Sequence, residues 1–230
     1  MKVLGLDTSS TQGSVALFES DRVIAEYCFD VRATHSERLL PAIEVVLKHA
    51  DWKISEIELV ACGSGPGSFT GLRIGLATAL GIAFGCNIPV VSVPTLEAMA
   101  ATFSYSSLRI CPMLDAAKGQ VFTALFDPDG HGGVDRICQD CSADPLAFAK
   151  GIDRPVLLIG EGVVKYRSIL HDALGEWAYF SIPGLCYHRA GVIASFGLNR
   201  YKADPTKAGM TTYYVRKSDA EIETEKIVGG

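Results

Sequence analysis

Two stretches of this chain repeat one another. Asp7, preceded by Leu6, is followed nine positions later by Ala16-Leu17-Phe18, and Asp115, preceded by Leu114, is followed nine positions later by Ala124-Leu125-Phe126. In both places a short apolar run ends on the aspartate, a turn follows, and a second apolar run begins, which is how two paired strands read. Recurrence at equivalent places points to an internal duplication. The first half predicts strands at 2–7, 14–19 and 22–29, a helix over 37–50, a buried strand at 57–62, a helix over 70–84, a strand at 89–93 and a helix from Thr95 as N-cap, the order βββαβαβα. The second half replays part of it, with strands at 110–115, 120–127 and 155–159 and helices near 162–172 and 188–201.

The fold class that follows is α/β with two lobes, residues 1–106 and 107–230, each a mixed sheet flanked by helices. Two lobes of duplicated βββαβαβα order describe the actin-like (ASKHA) architecture of actin, sugar kinases and Hsp70. There, the aspartates of the two strand-to-strand turns, here Asp7 and Asp115, face a nucleotide between the lobes. In the first long helix Leu39, Leu40, Ile43, Val46, Leu47 and Ala50 fall on one stripe, with Glu37, Arg38, Glu44 and Lys48 elsewhere. Pro41 is expected in or near its first turn, because deeper it removes a hydrogen bond and crowds the turn before. Beyond Ala203 a short strand-like patch, TTYY, gives way to charged residues and glycine, a tail expected to fray.

A chain of 230 residues that is 48% hydrophobic has enough apolar surface to build a core, which excludes a disordered protein. The start, MKVLGLDTSS, does not read as a signal peptide. The longest apolar stretch, 74–84, is broken by Gly75, Thr78 and Gly81 and falls short of the roughly 20 residues of a membrane span. No membrane association and a cytoplasmic location are therefore expected. Seven scattered cysteines fit reduced thiols, mostly small core residues, better than a disulfide framework. A net charge of −5 gives no general attraction for phosphates, so any RNA contact needs a partner.

The runs GPGSFTGLRIG at 65–75, HSERLLP at 35–41, LGLDTSS at 4–10 and VRKSDAE at 215–221 together resemble the bacterial TsaB (YeaZ) family over nearly the whole chain. The first run is long and unusual, whereas each of the others alone is weak. The resemblance implies a non-catalytic paralogue of TsaD that joins TsaD and the ATPase TsaE to make N6-threonylcarbamoyladenosine at position 37 of tRNAs reading ANN codons. It implies no catalytic, cofactor or metal site on this chain, with ATP or ADP and metal carried by the partner subunits, a homodimer when alone, and tRNA met only through the complex. In the active paralogue a His-x-x-x-His pair on the helix after the fourth core strand holds a metal. Here the matching VPTLEAM puts Thr95 and Met99 at those positions, and no His-x-x-x-His occurs in the chain, so a glycoprotease-type metallopeptidase lacks its ligands.

Two features of the first half carry binding hypotheses. The loop Gly63-Ser64-Gly65-Pro66-Gly67 opens onto a helix and either cradles phosphate on its amides or is a structural turn; it lacks a P-loop lysine and Rossmann spacing, which favours the turn. In the helix after it, Gly71, Gly75, Ala79 and Ala83 recur every four residues beside Leu72, Leu76, Leu80 and Phe84, with Arg73 as its one charge. Either the 37–50 helix covers this surface or the two helices together present an apolar face to a partner, the small residues letting a second helix approach. The family resemblance favours the second, with Leu39, Leu40, Ile43, Leu47, Leu72, Arg73, Leu76 and Leu80 as the docking residues.

The remaining candidates are weaker. Asp7 and Asp115 either hold metal-nucleotide, as in an actin-fold phosphotransferase, or cap their turns; the turn role is favoured. Cys138-Gln139-Asp140-Cys141 is a lone Cys-x-x-Cys without further ligands at zinc spacing. His171 and His188 are expected to be ordinary surface residues.

Overall fold

The computed structural model describes residues 1–30, 35–185 and 187–209. Its first half contains β1 (Val3–Asp7), β2 (Gln12–Glu19), β3 (Arg22–Asp30), α1 (His35–Ala50), β4 (Leu59–Gly63), α2 (Phe69–Cys86), β5 (Val90–Val93) and α3 (Thr95–Ala101). Its second half contains β6 (Arg109–Asp115), β7 (Val121–Thr123), β8 (Phe126–Pro128), β9 (Val134–Arg136), β10 (Cys141–Ala143), α4 (Pro145–Ala149), β11 (Val156–Ile159), α5 (Glu161–Lys165), α6 (Arg167–Leu174), β12 (Ala178–Phe180) and α7 (Ala190–Ala203). The patch TTYY and the run VRKSDAE lie outside the described residues.

The first sheet has the order β3-β2-β1-β4-β5 and the second the order β10-β7-β6-β11-β12, with β8 and β9 added beside β6. Position for position these are the same sheet, with antiparallel β1–β2 and β6–β7 pairs and parallel β1–β4 and β6–β11 pairs. The duplication therefore holds in topology. It slips by one residue in the letters: Phe18 pairs with Val3, four residues before Asp7, whereas Phe126 pairs with Ile110, five before Asp115. Ala124 and Leu125 fall between β7 and β8, so the expected single strand at 120–127 is two short ones. The expected helix at 162–172 is likewise two, α5 and α6, separated by Tyr166 at φ −107° and ψ 20°.

Each sheet is covered on both faces, which is why its central strands are continuously apolar. Along β1 the side chains alternate: Leu4 and Leu6 join the core under α1 and α2, while Val3 packs with Ile193, Ala194 and Leu198 of α7 on the other face. The second sheet is covered by α4, α5 and α6 on one face, through Ala149, Val163, Leu170 and Leu174, and by Leu96, Met99 and Ala100 of α3 on the other. The last helix of each half thus packs on the sheet of the opposite half, and α3 and α7 touch between the two sheets. The fit of α7 rests on small residues: a side chain at Gly5 would overlap the Ala190 carbonyl, and one at Gly197 would overlap Ala61.

Three local expectations are corrected. Helix α1 begins at His35, earlier than expected, so exposed Pro41 stands in its second turn, where its missing N–H leaves one carbonyl of the first turn unbonded. Pro94, not Thr95, is the residue before α3, and the Thr95 hydroxyl turns inward instead of capping the helix. Helix α2 runs for 18 residues, about 27 Å at 1.5 Å per residue. It is long and apolar enough to cross a membrane by length and composition, which the interrupted run 74–84 had not suggested. In this fold its Gly71, Leu72, Gly75, Ala79 and Ala83 face is buried.

Candidate functional site

The two aspartates stand at the carboxyl ends of equivalent strands, Asp7 at the end of β1 and Asp115 at the end of β6. Asp7, at the end of β1, is fully buried. Its Oδ1 accepts the Ser9 amide at 2.8 Å and the Ser9 hydroxyl at 2.6 Å, and Oδ2 lies 3.5 Å from the Thr95 hydroxyl. The carboxylate covers the end of β4 so closely that a side chain at Gly63 would overlap Oδ2. A buried carboxylate is stable only when its lone pairs are met, and the remaining donor is His188, whose Nε2 stands 3.2 Å from Oδ1, 3.2 Å from the Gln12 carbonyl and 3.3 Å from the Ser10 hydroxyl. Among the described residues His188 Nδ1 has no hydrogen-bond partner, so the Nε2–H tautomer serves the contacts present.

His188 is therefore not the surface residue expected. It is 3% exposed because it stands two residues before α7, whose small-residue face draws its amino end down onto the β1–β2 turn. The row Ala190, Gly191, Ala194 and Gly197 was the available signal. His171, by contrast, is exposed beside Asp172.

At the end of β6 the second aspartate is arranged differently. Asp115 Oδ1 accepts the Ala117 amide at 3.2 Å and Oδ2 takes Lys165 Nζ at 2.8 Å, while that hydrogen bond, ahead of one to Tyr166, raises the lysine's pKa above its ordinary value. Thr11, in the β1–β2 turn, donates to Glu161 Oε2 at 2.8 Å and so ties the first half to the second. Both aspartates cap their turns, and each also holds a side chain of its own protein.

The glycine loop is occupied in the same way. The Ser64 amide bonds the Val93 carbonyl at 2.8 Å, the Gly65 amide the Thr95 hydroxyl at 3.2 Å, and the Ser68 amide the Ser9 carbonyl at 2.7 Å. Ser68 Oγ caps α2 by accepting from the Gly71 amide at 3.2 Å. Gly67 lies against the Ser9 backbone where a side chain would not fit. With these amides bonded to protein, the loop is built as a strand-to-helix turn. Thr95 and Met99 are buried, the latter in the core against the second sheet, and among the described residues no group of three or more His, Cys, Asp or Glu side chains is placed to hold a metal ion.

On the outer helices the structure divides the docking set. Leu39, Ile43 and Leu72 are 1 to 3% exposed and fill the molecule's own core, so they are withdrawn from any partner-facing surface. Leu47 is half-buried against that core, and Leu76 is half-buried. Leu40 and Leu80 are exposed at 55% and 43%, Arg73 is exposed over the Phe69 ring at 3.7 Å, and Phe84, one turn beyond Leu80, is 91% exposed. The small-residue row 71, 75, 79, 83 faces inward, where a side chain at Gly75 would overlap the Thr8 hydroxyl. Facing outward instead are Gly81 and Gly85, where an added side chain meets nothing. Helix α1 touches α2 but leaves this strip open.

These features can be set beside known proteins. A family model for TsaD, described as tRNA N6-adenosine threonylcarbamoyltransferase, matches residues 30–153, just over half of the chain. The Bacillus subtilis protein named tRNA threonylcarbamoyladenosine biosynthesis protein TsaB is 32% identical over 232 residues, covering 98% of this chain and 100% of that protein. The chain belongs to the TsaB family. The Escherichia coli protein of the same name is 36% identical over 134 residues, 57% of this chain and 58% of its own length. Among solved structures, a Pseudomonas aeruginosa protein described as similar to the peptidase YeaZ superposes with a TM-score of 0.76 at 23% identity, over 94% of this chain and 99% of that one. Component A of the Acidaminococcus fermentans (R)-2-hydroxyglutaryl-CoA dehydratase superposes at 0.54 and 14% identity, over 88% and 99%. Both likenesses concern the fold, and this TsaB-family chain has the actin-like architecture that its repeated strands implied.

Proposed function

We infer that this TsaB-family chain takes part in tRNA threonylcarbamoyladenosine biosynthesis as a non-catalytic subunit that docks a TsaD-type transferase through the outer face of α2. The strip of Arg73, Leu76, Leu80 and Phe84, flanked by Leu40 and Leu47 of α1, carries this reading. Gly81 and Gly85 add to it: a glycine inside a helix costs about 0.5–1 kcal/mol relative to alanine, and among the described residues no packing requires either. A partner helix approaching closely is what would use them. Burial of about 800 Å2 on each side makes a standard interface.

In this reading the chain holds no nucleotide of its own, because its aspartates and loop amides are bonded to protein groups. ATP or ADP and metal belong to the partner subunits, a TsaE-type ATPase joins the pair, tRNA is met through the complex, and the chain works in the cytoplasm, as a homodimer when alone. Co-purification with the TsaD-type paralogue tests the docking surface. Leu80→Glu together with Phe84→Glu is expected to abolish pairing, and unchanged pairing removes α2 from the interface. Calorimetry with ATP and magnesium tests this: micromolar binding by the lone chain would restore the phosphotransferase reading built on Asp7 and Asp115.

A further inference from the structure

The Cys-x-x-Cys of the second half is left over by this reading, and its surroundings are specific. Opposite Thr123 and Leu125 the neighbouring segment makes two backbone connections: Ile137 donates to the Leu125 carbonyl at 2.8 Å, and Cys141 pairs with Thr123 in the β10–β7 ladder. Two residues of strand advance about 6.6 Å. Four residues, 137 to 141, cover the same span on the other side, so two extra residues bulge outward and draw Cys138 and Cys141 together. The bulge is pinched at its base by the ion pair of Arg136 with Asp140. Both sulfurs lie on the β7 segment, Cys138 Sγ accepting the Leu125 amide at 3.2 Å and Cys141 Sγ standing 3.7 Å from the Thr123 carbonyl. Both residues are half-buried, and Cys111, which is fully buried, shares Thr123 with Cys141 through a 3.3 Å sulfur–hydroxyl contact.

We propose that Cys138 and Cys141 form a dithiol modification site that hydroperoxides close to a disulfide. One thiol, as its thiolate, takes an oxygen from the peroxide, giving a sulfenic acid and releasing water, or an alcohol from an organic peroxide. The second thiol attacks that sulfur, the S–S bond forms, and the sulfenic oxygen leaves as a second water. The balance is two thiols and one hydroperoxide to one disulfide, one water or alcohol and one further water. Burial, and next the neighbouring Cys138 sulfur, hold the Cys141 thiol above its ordinary pKa. Cys62 and Cys111 are excluded from attack, since full burial pushes the first up beyond the accessible range and the second up to about 12. The bulge carries a contact that closure would disturb: Arg136 reaches Glu97 of α3 at 3.5 Å, between the second sheet and the helix supplied by the other half.

The test treats the full, reduced chain with hydrogen peroxide, alkylates under denaturing conditions and maps the cysteines by mass spectrometry. The expected result is a peptide carrying Cys138 and Cys141 that is lighter by two hydrogens and recovers both alkylation sites after dithiothreitol, while Cys111 stays free. Full alkylation of both thiols at a dose that oxidises the exposed Cys28 would overturn the proposal, as would a bridge from either to Cys111. Cys138→Ser is expected to abolish the bridge. Should that variant fail to fold, the native chain treated with dibromobimane, fluorescent only when both arms have reacted, reports the same proximity. Absence of fluorescence there also counts against it.

Discussion

His188 Nε2 and Asp7 Oδ1 stand 3.2 Å apart with side chains 1% and 0% exposed, joining the segment that leads into α7 to the last residue of β1. This contact fastens the helix of the second half to the sheet of the first. Replacing His188 by Leu keeps the volume and removes the donor, leaving a buried carboxylate one partner short. A loss of about 2–4 kcal/mol is expected in urea unfolding. His188→Gln, which keeps a donor, should recover part of it, and Asp7→Asn should cost less than His188→Leu because it removes the charge that needs the partner. Equal stability of all three variants would show that the contact contributes nothing.

The halves of this site differ in how far the sequence exposes them. Asp7 and Asp115 were legible because each ends an apolar run and starts a turn. His188 was not, since it lies 178 positions along the chain from Ser10 in the turn it enters, and only the packing of α7 brings it there. The same limit applies to α2. Its small-residue row was visible at four-residue spacing, but periodicity does not say which row meets the sheet; the answer lies in Thr8, whose hydroxyl stands where a side chain at Gly75 would go. In the second half, β9, β10 and β12 escaped because strands of three residues are too short for alternation to register.

Acid should weaken the second half through one identifiable pair. Arg109 bonds Asp127 with Nε at 2.8 Å and Nη2 at 2.9 Å, and these hydrogen bonds hold the Asp127 carboxyl below its ordinary pKa. A carboxyl whose folded pKa is lowered binds its proton more readily in the unfolded chain. Its stabilisation is therefore fully present above about pH 4, the unfolded value, and fades as the pH falls through the lower folded value. Comparing wild type with Asp127→Asn by urea unfolding should show a stability difference at pH 6 that closes toward about pH 2. A difference independent of pH would assign the effect to packing.

Burial separates two leucines that the sequence places on one row. Leu72 is 1% exposed and Leu80 is 43% exposed. Leu72→Ala should cost about 2–5 kcal/mol by emptying space in a close-packed core, measured by denaturant midpoint. Leu80→Ala should change the stability of the isolated chain by no more than about 0.5 kcal/mol, so any loss of pairing with the TsaD-type subunit is read as an interface effect. Similar destabilisation by both would mean that α2 is packed otherwise.

Gly81 offers the sharpest separation of folding from docking. An added methyl group there touches nothing among the described residues, and alanine is the better helix residue because it restricts the unfolded backbone and exposes less of the folded one. Gly81→Ala is therefore expected to raise the stability of the isolated chain by about 0.5–1 kcal/mol. If the TsaD-type partner packs a helix against this strip, the same methyl group holds the two backbones apart, and titration of the partner should show weaker binding although the variant is more stable. A mutation that stabilises the monomer and loosens the complex cannot act through unfolding, which leaves close approach at Gly81 as the cause. Binding that is unchanged or tightened would place the partner elsewhere, and would leave the outward glycines of α2 without a use in this chain.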